Sequence, residues 1–310
     1  MTSTTKAIAF TEYGSADVLR TLDTELPEPG PGQVRIAVRT AAVNPLDSKI
    51  RAGVMRQVFP VTFPHVPGVE AAGVVEAVGE GVEGLTVGDE VFGQTATGAY
   101  AEHALADVSR IALKPGTLSW EQATAVPVAA ETAYRALELL GVRAGETLLI
   151  HGAAGGVGTV AVQIAVARGI TVIGTASEAN HDHLRRLGAI PVTYGDGLAD
   201  RVRAAAPGGI DAALDAAGQG DVLAVSVELT GGTERVVTIV DAVGAGKAGV
   251  RFTSGADGYR GEPAFEEALA LFAVGKLTLA IHATFPLAEA AAAQRASEAG
   301  HLTGKIVLTV

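Results

Sequence analysis

The small residues in HGAAGGVG, residues 151–158, carry the most specific chemical spacing in this 310-residue sequence. Gly152, Gly155 and Gly158 recur every third position, after an apolar run at 147–151 that reads as a strand. A helix is predicted from Gly156 to Ala167. Small residues let a chain turn sharply and approach a pyrophosphate closely, while the first N–H groups of the helix face its negative charge. Gly152, Ala154 and Gly155 are therefore candidate pyrophosphate-turn residues, and Gly158 is expected to let the helix pack against the sheet. The order departs from G-x-G-x-x-G. What argues for a dinucleotide is the place of the glycines between a strand and a helix, with another strand following. A purely structural glycine turn is the alternative. A mononucleotide P-loop is not expected, because Gly158 precedes Thr159 and no Lys is nearby.

The next predicted strand, 171–175, decides which dinucleotide fits. A site for unphosphorylated ribose commonly ends this strand with an acid. Here the chain continues Ala176-Ser177, which leaves space and a hydroxyl donor for a 2′-phosphate, so NADPH is expected. Glu178 opposes that choice. His181, Arg185 and Arg186 are the nearest basic candidates, with helix-surface charges as the plain alternative.

Elements must hold these residues in place. Predicted strands at 6–10, 34–43, 73–78 and 99–106 are separated by Gly, Pro and Asp clusters such as PEPGPG at 27–32, a texture that suits a small barrel-like domain. Helical spacing covers 121–141, with Pro127 expected to interrupt it. From 146 onward strands and helices alternate: strands at 147–151, 171–175, 191–193, 210–215 and 235–240, helices at 156–167, 181–187 and 222–228. That rhythm is a parallel sheet with crossover helices. A strand at 249–253 is expected near its edge. A helix at 263–274, a strand at 279–285, a helix at 287–296 and a strand at 305–310 close the chain.

Composition narrows the function. A net charge of −11 argues against a nucleic-acid surface, and no apolar run reaches the ~20 residues of a membrane span. The chain has no Cys, hence no disulfide, thiolate nucleophile or cysteine-bound metal. MTSTTKAIAF does not read as a signal peptide, so a cytoplasmic protein is expected.

In several segments the chain resembles the zinc-independent quinone oxidoreductase branch of the medium-chain dehydrogenase/reductase family, the zeta-crystallin-like proteins. The segments are AAVNPLD at 41–47, PGVEAAG at 67–73, VGDEV at 87–91, HGAAGGVG, GTAS at 174–177 and GKIVL at 304–308. The resemblance implies an α/β protein with a GroES-like catalytic domain (1–121), a Rossmann dinucleotide-binding domain (122–262) and a C-terminal return to the catalytic domain (263–310). Where zinc-containing relatives carry Cys and His, this chain carries Asn44 and Val69, so no metal is expected. The resemblance assigns Thr132 to the nicotinamide side, Gly155, Gly156 and Val157 to the diphosphate turn, Ser177 to the ribose phosphate and Tyr194 to the adenosine end. Ala217, Ile239 and Val240 are assigned to the cofactor's path across the sheet, and Phe252 and Ser254 to its nicotinamide end. Asn44 is expected to orient substrate or nicotinamide ribose. Lys49, where some relatives have Tyr, is a candidate for steering substrate or assisting proton delivery, or else a surface lysine. The loop 54–65 is expected to help shape the substrate entrance, with its Phe59 and Phe63 either contacting a planar substrate or simply closing the loop. A homodimer through the cofactor domains is also implied.

The expected function is reduction of a small-molecule quinone or conjugated enone or enal by hydride transfer from NADPH. The alternatives are reduction of a larger biosynthetic intermediate and a low-turnover NADPH-binding regulatory protein. No Tyr-x-x-x-Lys pair points to short-chain chemistry, since Leu137 and Glu138 follow Tyr134 at the relevant spacing.

Overall fold

The computed structural model describes residues 4–259 and 261–310. Two compact units divide it, the first built from Met1–Pro127 with Ile281–Val310 and the second from Val128–Ala280.

In the first unit β1 (Thr4–Ala9) pairs antiparallel with β2 (Arg20–Glu25). The long β3 (Gln33–Val43) alternates buried and half-buried residues over its first half, then runs buried from Thr40 to Val43. That change marks a strand covered on one face at its start and on both at its end. It leads straight into α1 (Pro45–Arg51), a helix the apolar periodicity does not reveal. Asn44 is its N-cap, Pro45 occupies the first turn where a missing N–H costs nothing, and Asp47 Oδ2 accepts the Asn44 backbone N–H at 2.8 Å. β4 (Glu70–Val78), β5 (Glu90–Gln94), β6 (His103–Asp107) and β7 (Ile111–Leu113) follow. The strand expected at 99–106 starts later because Ala99 and Tyr100 donate instead to Gly68 and Pro67 carbonyls. α2 (Trp120–Thr124) opens on a reciprocal Ser119–Gln122 capping box.

Pro127 ends that helical stretch and begins α3 (Pro127–Leu140). The second unit then alternates β8 (Thr147–His151), α4 (Gly156–Ala167), β9 (Thr171–Ala176), α5 (His181–Arg186), β10 (Ile190–Thr193) and α6 (Leu198–Ala205). β11 (Ala212–Asp215), α7 (Val222–Thr230), β12 (Val236–Thr238), α8 (Ala242–Ala248), β13 (Arg251–Phe252) and α9 (Gly261–Ala273) complete it. The six strands are parallel in the order β10-β9-β8-β11-β12-β13. Connections run outward in both directions from β8 and β11, which makes the gap between their C-terminal ends the switch point where such sheets bind ligands. Leu149, Ile173, Ala213 and Val236 pack in its core with Val202 and Val225 from the helices.

The return to the first unit begins at Ile281, later than the expected residue 263. α9 stays with the second unit because it buries Ala264, Phe265 and Ala268 and packs beside α4, where Arg168 clamps Glu267 through two hydrogen bonds of 2.9 and 2.7 Å. β14 (Ile281–Pro286), α10 (Ala290–Ala299) and β15 (Lys305–Thr309) then extend the first unit's sheet to the order β14-β15-β3-β4-β5-β7, with β6 also on β3. α10 packs on α1, and the buried Arg51 donates to Gln294 and Glu298. No helix among the described residues is long and apolar enough to cross a membrane.

Candidate active site

The turn after β8 has the geometry its glycines require. Gly152 sits at φ +70°, and a side chain there would meet the Ala216 carbonyl oxygen at 2.9 Å. At Gly158 an added Cβ would lie 2.2 Å from the Gly152 oxygen, so only glycine lets α4 come this close to the turn. Gly155 caps α4 and its N–H bonds the Gly152 carbonyl, while the Ala153 N–H bonds Thr175 in β9. Ala154 is buried; Gly155, Gly156 and Val157 are half-buried at the start of a twelve-residue helix whose first N–H groups have no carbonyl one turn earlier. Donors, helix dipole and absent side chains together fit a pyrophosphate.

The other sequence-predicted residues of this unit gather at the same edge of the sheet. Ser177 follows β9, Tyr194 follows β10, Ala217 follows β11, Ile239 and Val240 follow β12, and Ser254 lies just beyond Phe252 in β13. Thr132 is half-buried on α3. Residues that sequence reasoning passed over shape these loops. The fully buried Asp215 accepts the Ala217 and Gly218 N–H groups through Oδ1, both at 2.9 Å, and the Thr238 hydroxyl through Oδ2 at 2.8 Å. Thr238 Oγ1 in turn accepts the Val240 and Asp241 N–H groups. His151 Nε2 lies 3.0 Å from Ser226 Oγ, and burial holds its pKa below the ordinary imidazole value despite the opposing charges of Asp215 and Asp221. Tyr194 is exposed on a loop whose carbonyls, from Thr193 to Asp196, are clasped by Arg201. At β13, Arg135 joins α3 to the sheet end, donating to Thr253 Oγ1 at 2.6 Å and doubly to Glu131.

The basic candidates are spread apart. Arg185 pairs with Asp182 at 2.6 Å on the exposed side of α5, and Arg186 opens onto a recess of about 550 Å³ lined also by Gln163, His183 and Lys276. Neither hydrogen-bonds Ser177, which is half-buried, and Glu178 beside it is exposed.

In the first unit the sequence-predicted site residue with the most elaborate surroundings is Asn44. Its side chain is buried and bonded at both polar atoms: Oδ1 accepts from Lys305 Nζ at 2.6 Å, and Nδ2 donates one hydrogen to Glu70 Oε1 at 2.9 Å. Lys305 and Glu70 close the triangle at 2.7 Å. Strand register brings them together. Ile306 opposes Val43, so the antiparallel ladder carries Lys305 opposite Asn44. Ala41 opposes Ala71, which puts Glu70 diagonally beside Asn44 on the same face. Below them Asp47 accepts from the Tyr100 hydroxyl at 3.0 Å. Burial, with Glu70 adding to it, pushes the Asp47 carboxyl up to about 7 against the pull of the Asn44 N–H, the Tyr100 hydroxyl and Lys305. The Tyr100 hydroxyl is pushed well above its usual range by burial and by Asp47. Lys49 is exposed on α1 and joins none of these bonds. Phe63 packs edge-on against Phe10 and Tyr13, with ring centroids 5.8 and 5.1 Å apart, which ties its loop to the chain's first segment, while both Phe63 and Phe59 keep an exposed face. Among the described residues no group of three His, Asp or Glu side chains is placed to hold a metal.

A parallel six-stranded sheet with a glycine turn at its switch point defines a Rossmann-type dinucleotide-binding domain, here joined to a GroES-like domain. Residues 30–126 match the alcohol dehydrogenase GroES-like domain, and residues 187–308 match the zinc-binding dehydrogenase model. The quinone oxidoreductase structure from Coxiella burnetii is 32% identical and superposes with a TM-score of 0.87 over 99% of this chain and 100% of that one. A mycobacterial protein solved in complex with NADPH is also 32% identical, with a TM-score of 0.84 over 98% of this chain and all of its own. The 2-methylene-furan-3-one reductase of Solanum lycopersicum is 37% identical over 246 residues, 75% of this chain but 62% of that protein's length. The chain belongs to the medium-chain dehydrogenase/reductase family, in its zinc-independent, zeta-crystallin-like quinone oxidoreductase branch.

Proposed function

We propose that the protein is an NADPH-dependent reductase of quinones and conjugated enones or enals. The observation that carries this reading is the turn from Gly152 to Gly158 at the switch point, which leaves the start of α4 open to a pyrophosphate. The cofactor, when bound, supplies a hydride from its nicotinamide C4. This chain's residues bind and orient. Gly155, Gly156 and Val157 hold the diphosphate, and Asp215 and Thr238 fix the loops that bear Ala217 and Val240. Ser177 donates to the ribose 2′-phosphate, and Asn44 orients the substrate carbonyl. Hydride addition to an enone's β carbon would build negative charge on the carbonyl oxygen, where a fixed N–H donor lowers the barrier, and the resulting enolate would take its proton from solvent water to give the saturated ketone.

The tomato relative's name supports the substrate class, since a 2-methylene-furan-3-one holds a carbon–carbon double bond conjugated with a ketone. The NADPH found with the mycobacterial relative supports the cofactor. A homodimer closed over the exposed edge strand β13 belongs to the same proposal, and light scattering showing only monomer would remove that part of it. The activity is tested by following oxidation of NADPH and NADH with 1,4-naphthoquinone, 3-penten-2-one, trans-2-hexenal and simple saturated ketones, with product identification. The proposal expects NADPH loss with the quinone and the conjugated carbonyls. No turnover, or turnover of saturated ketones alone, would overturn it.

A further inference from the structure

We propose that Lys305 and Glu70 are positioning residues that lock the Asn44 amide in one orientation, so that Asn44 presents its amide nitrogen to the reacting carbonyl oxygen. This rests on the reading above that Asn44 orients the substrate. An ammonium has only hydrogens to give, and a carboxylate has only lone pairs. Lys305 Nζ, 2.6 Å from Asn44 Oδ1, therefore fixes that atom as the oxygen, and Glu70 Oε1, 2.9 Å from Nδ2, fixes the other as the nitrogen. Rotating the amide by half a turn would set NH₂ against the ammonium and C=O against the carboxylate, two repulsive contacts in a site shielded from water.

The lock is rigid for two reasons. Glu70 is fully buried, Lys305 and Asn44 are nearly so, and the 2.7 Å Lys305–Glu70 pair ties the two partners to each other. The Asn44 backbone is held separately, by Asp47 Oδ2 on its N–H. One Nδ2 hydrogen is used by Glu70, which leaves the second as the donor for a ligand. Drawing electrons from Oδ1 toward the ammonium strengthens that donor. Lys305 and Glu70 thus act through Asn44, without touching the substrate.

Removing either charge alone leaves the other buried and unpaired, which destabilises the fold whatever its role in catalysis. The informative variant exchanges the groups. Asn44→Asp with Glu70→Gln keeps one ammonium, one carboxylate and one amide in the triangle, but leaves position 44 with no N–H. Expected are a Tm well above that of either single variant, kcat for 3-penten-2-one at least about tenfold below the unaltered protein, and an NADPH Kd within about twofold. Unaltered kcat in the double variant would overturn the proposal, and so would a double variant no more stable than the singles. A second readout needs no turnover. The Asn44 side-chain NH₂ signals, assigned by their loss in Asn44→Asp, should exchange with solvent at least about tenfold more slowly in the unaltered protein than in Lys305→Met. Equal exchange would overturn the lock. Slow exchange in a protein that reduces no quinone or enone would leave the lock standing and discard the function.

Discussion

Lys305 Nζ and Asn44 Oδ1 lie 2.6 Å apart although 261 positions separate them in the chain. The contact exists because β15 returns from the far end of the sequence to lie antiparallel to β3, the strand that delivers Asn44 to the start of α1. Asn44→Ala is expected to lower kcat/KM for quinone and enone about 100-fold, the loss typical of one donor to a developing oxyanion. Far-UV circular dichroism should be unchanged at the assay temperature. Kinetics that fall only in proportion to the folded fraction would make Asn44 a structural residue alone.

Ser177 and Glu178 are the residues proposed to set the cofactor preference. Ser177 supplies a donor at the end of β9, and the exposed Glu178 remains hydrated if it turns away from the ribose. NADPH should bind more tightly than NADH. Ser177→Ala should weaken NADPH selectively, and Glu178→Gln should strengthen it, as read by fluorescence titration at several salt concentrations. Because Arg185 is already paired with Asp182, Arg185→Ala is expected to change the preference little. Equal or tighter NADH binding in the unaltered protein would contradict the assignment.

Gly158 tests the turn itself. Gly158→Ala places a Cβ 2.2 Å from the Gly152 carbonyl, against backbone that cannot rotate away. It should destabilise the protein by about 1–3 kcal/mol and abolish tight cofactor binding. Gly246→Ala in α8, where an added Cβ meets nothing within 4 Å, should raise stability by up to about 1 kcal/mol. Denaturant unfolding of the two variants gives the comparison, and equal effects would contradict the packing argument.

Asp47 carries a pH signature. Its carboxyl is raised from 3.8 to about 7 in the folded protein. Between those values the native state keeps the proton that the unfolded chain has lost, so this group's contribution falls as pH rises from about 4 to 7 and is constant above. Asp47→Asn, which keeps an acceptor for the Asn44 N–H and the Tyr100 hydroxyl, should remove the slope. The variant should therefore gain on the unaltered protein with rising pH, by about 4 kcal/mol at most. A stability difference that is flat from pH 4.5 to 8 would show that Asp47 is not raised.

The sequence makes the cofactor domain legible because its signals are local. Strand, glycine turn and helix adjoin at 147–167, and Ser177, Tyr194, Ala217, Ile239, Val240 and Ser254 all fall just after strands. The hidden elements have weak local patterns. β2 is largely exposed and has no apolar face, and α8 holds two glycines, depending on the Asp241 carboxylate to cap Gly244 at 2.7 Å. α1 was recoverable from Asn44, Pro45 and Asp47, whose spacing is that of a helix start. Asn44 itself stands out in the sequence, but its partners do not. Glu70 and Lys305 read there as single charges at the ends of apolar strands, and only strand pairing turns them into a buried triangle around one amide.

Hydride transfer to a conjugated carbon is the central claim, and isotope transfer tests it most directly. NADPH carrying deuterium at C4, prepared separately as each epimer, is incubated with the protein and 3-penten-2-one, and the product is examined by mass spectrometry and NMR. One epimer should deliver a single deuterium to the β carbon of the saturated ketone, while the other delivers none. Deuterium at the carbonyl carbon, or no transfer from either epimer, would contradict the account.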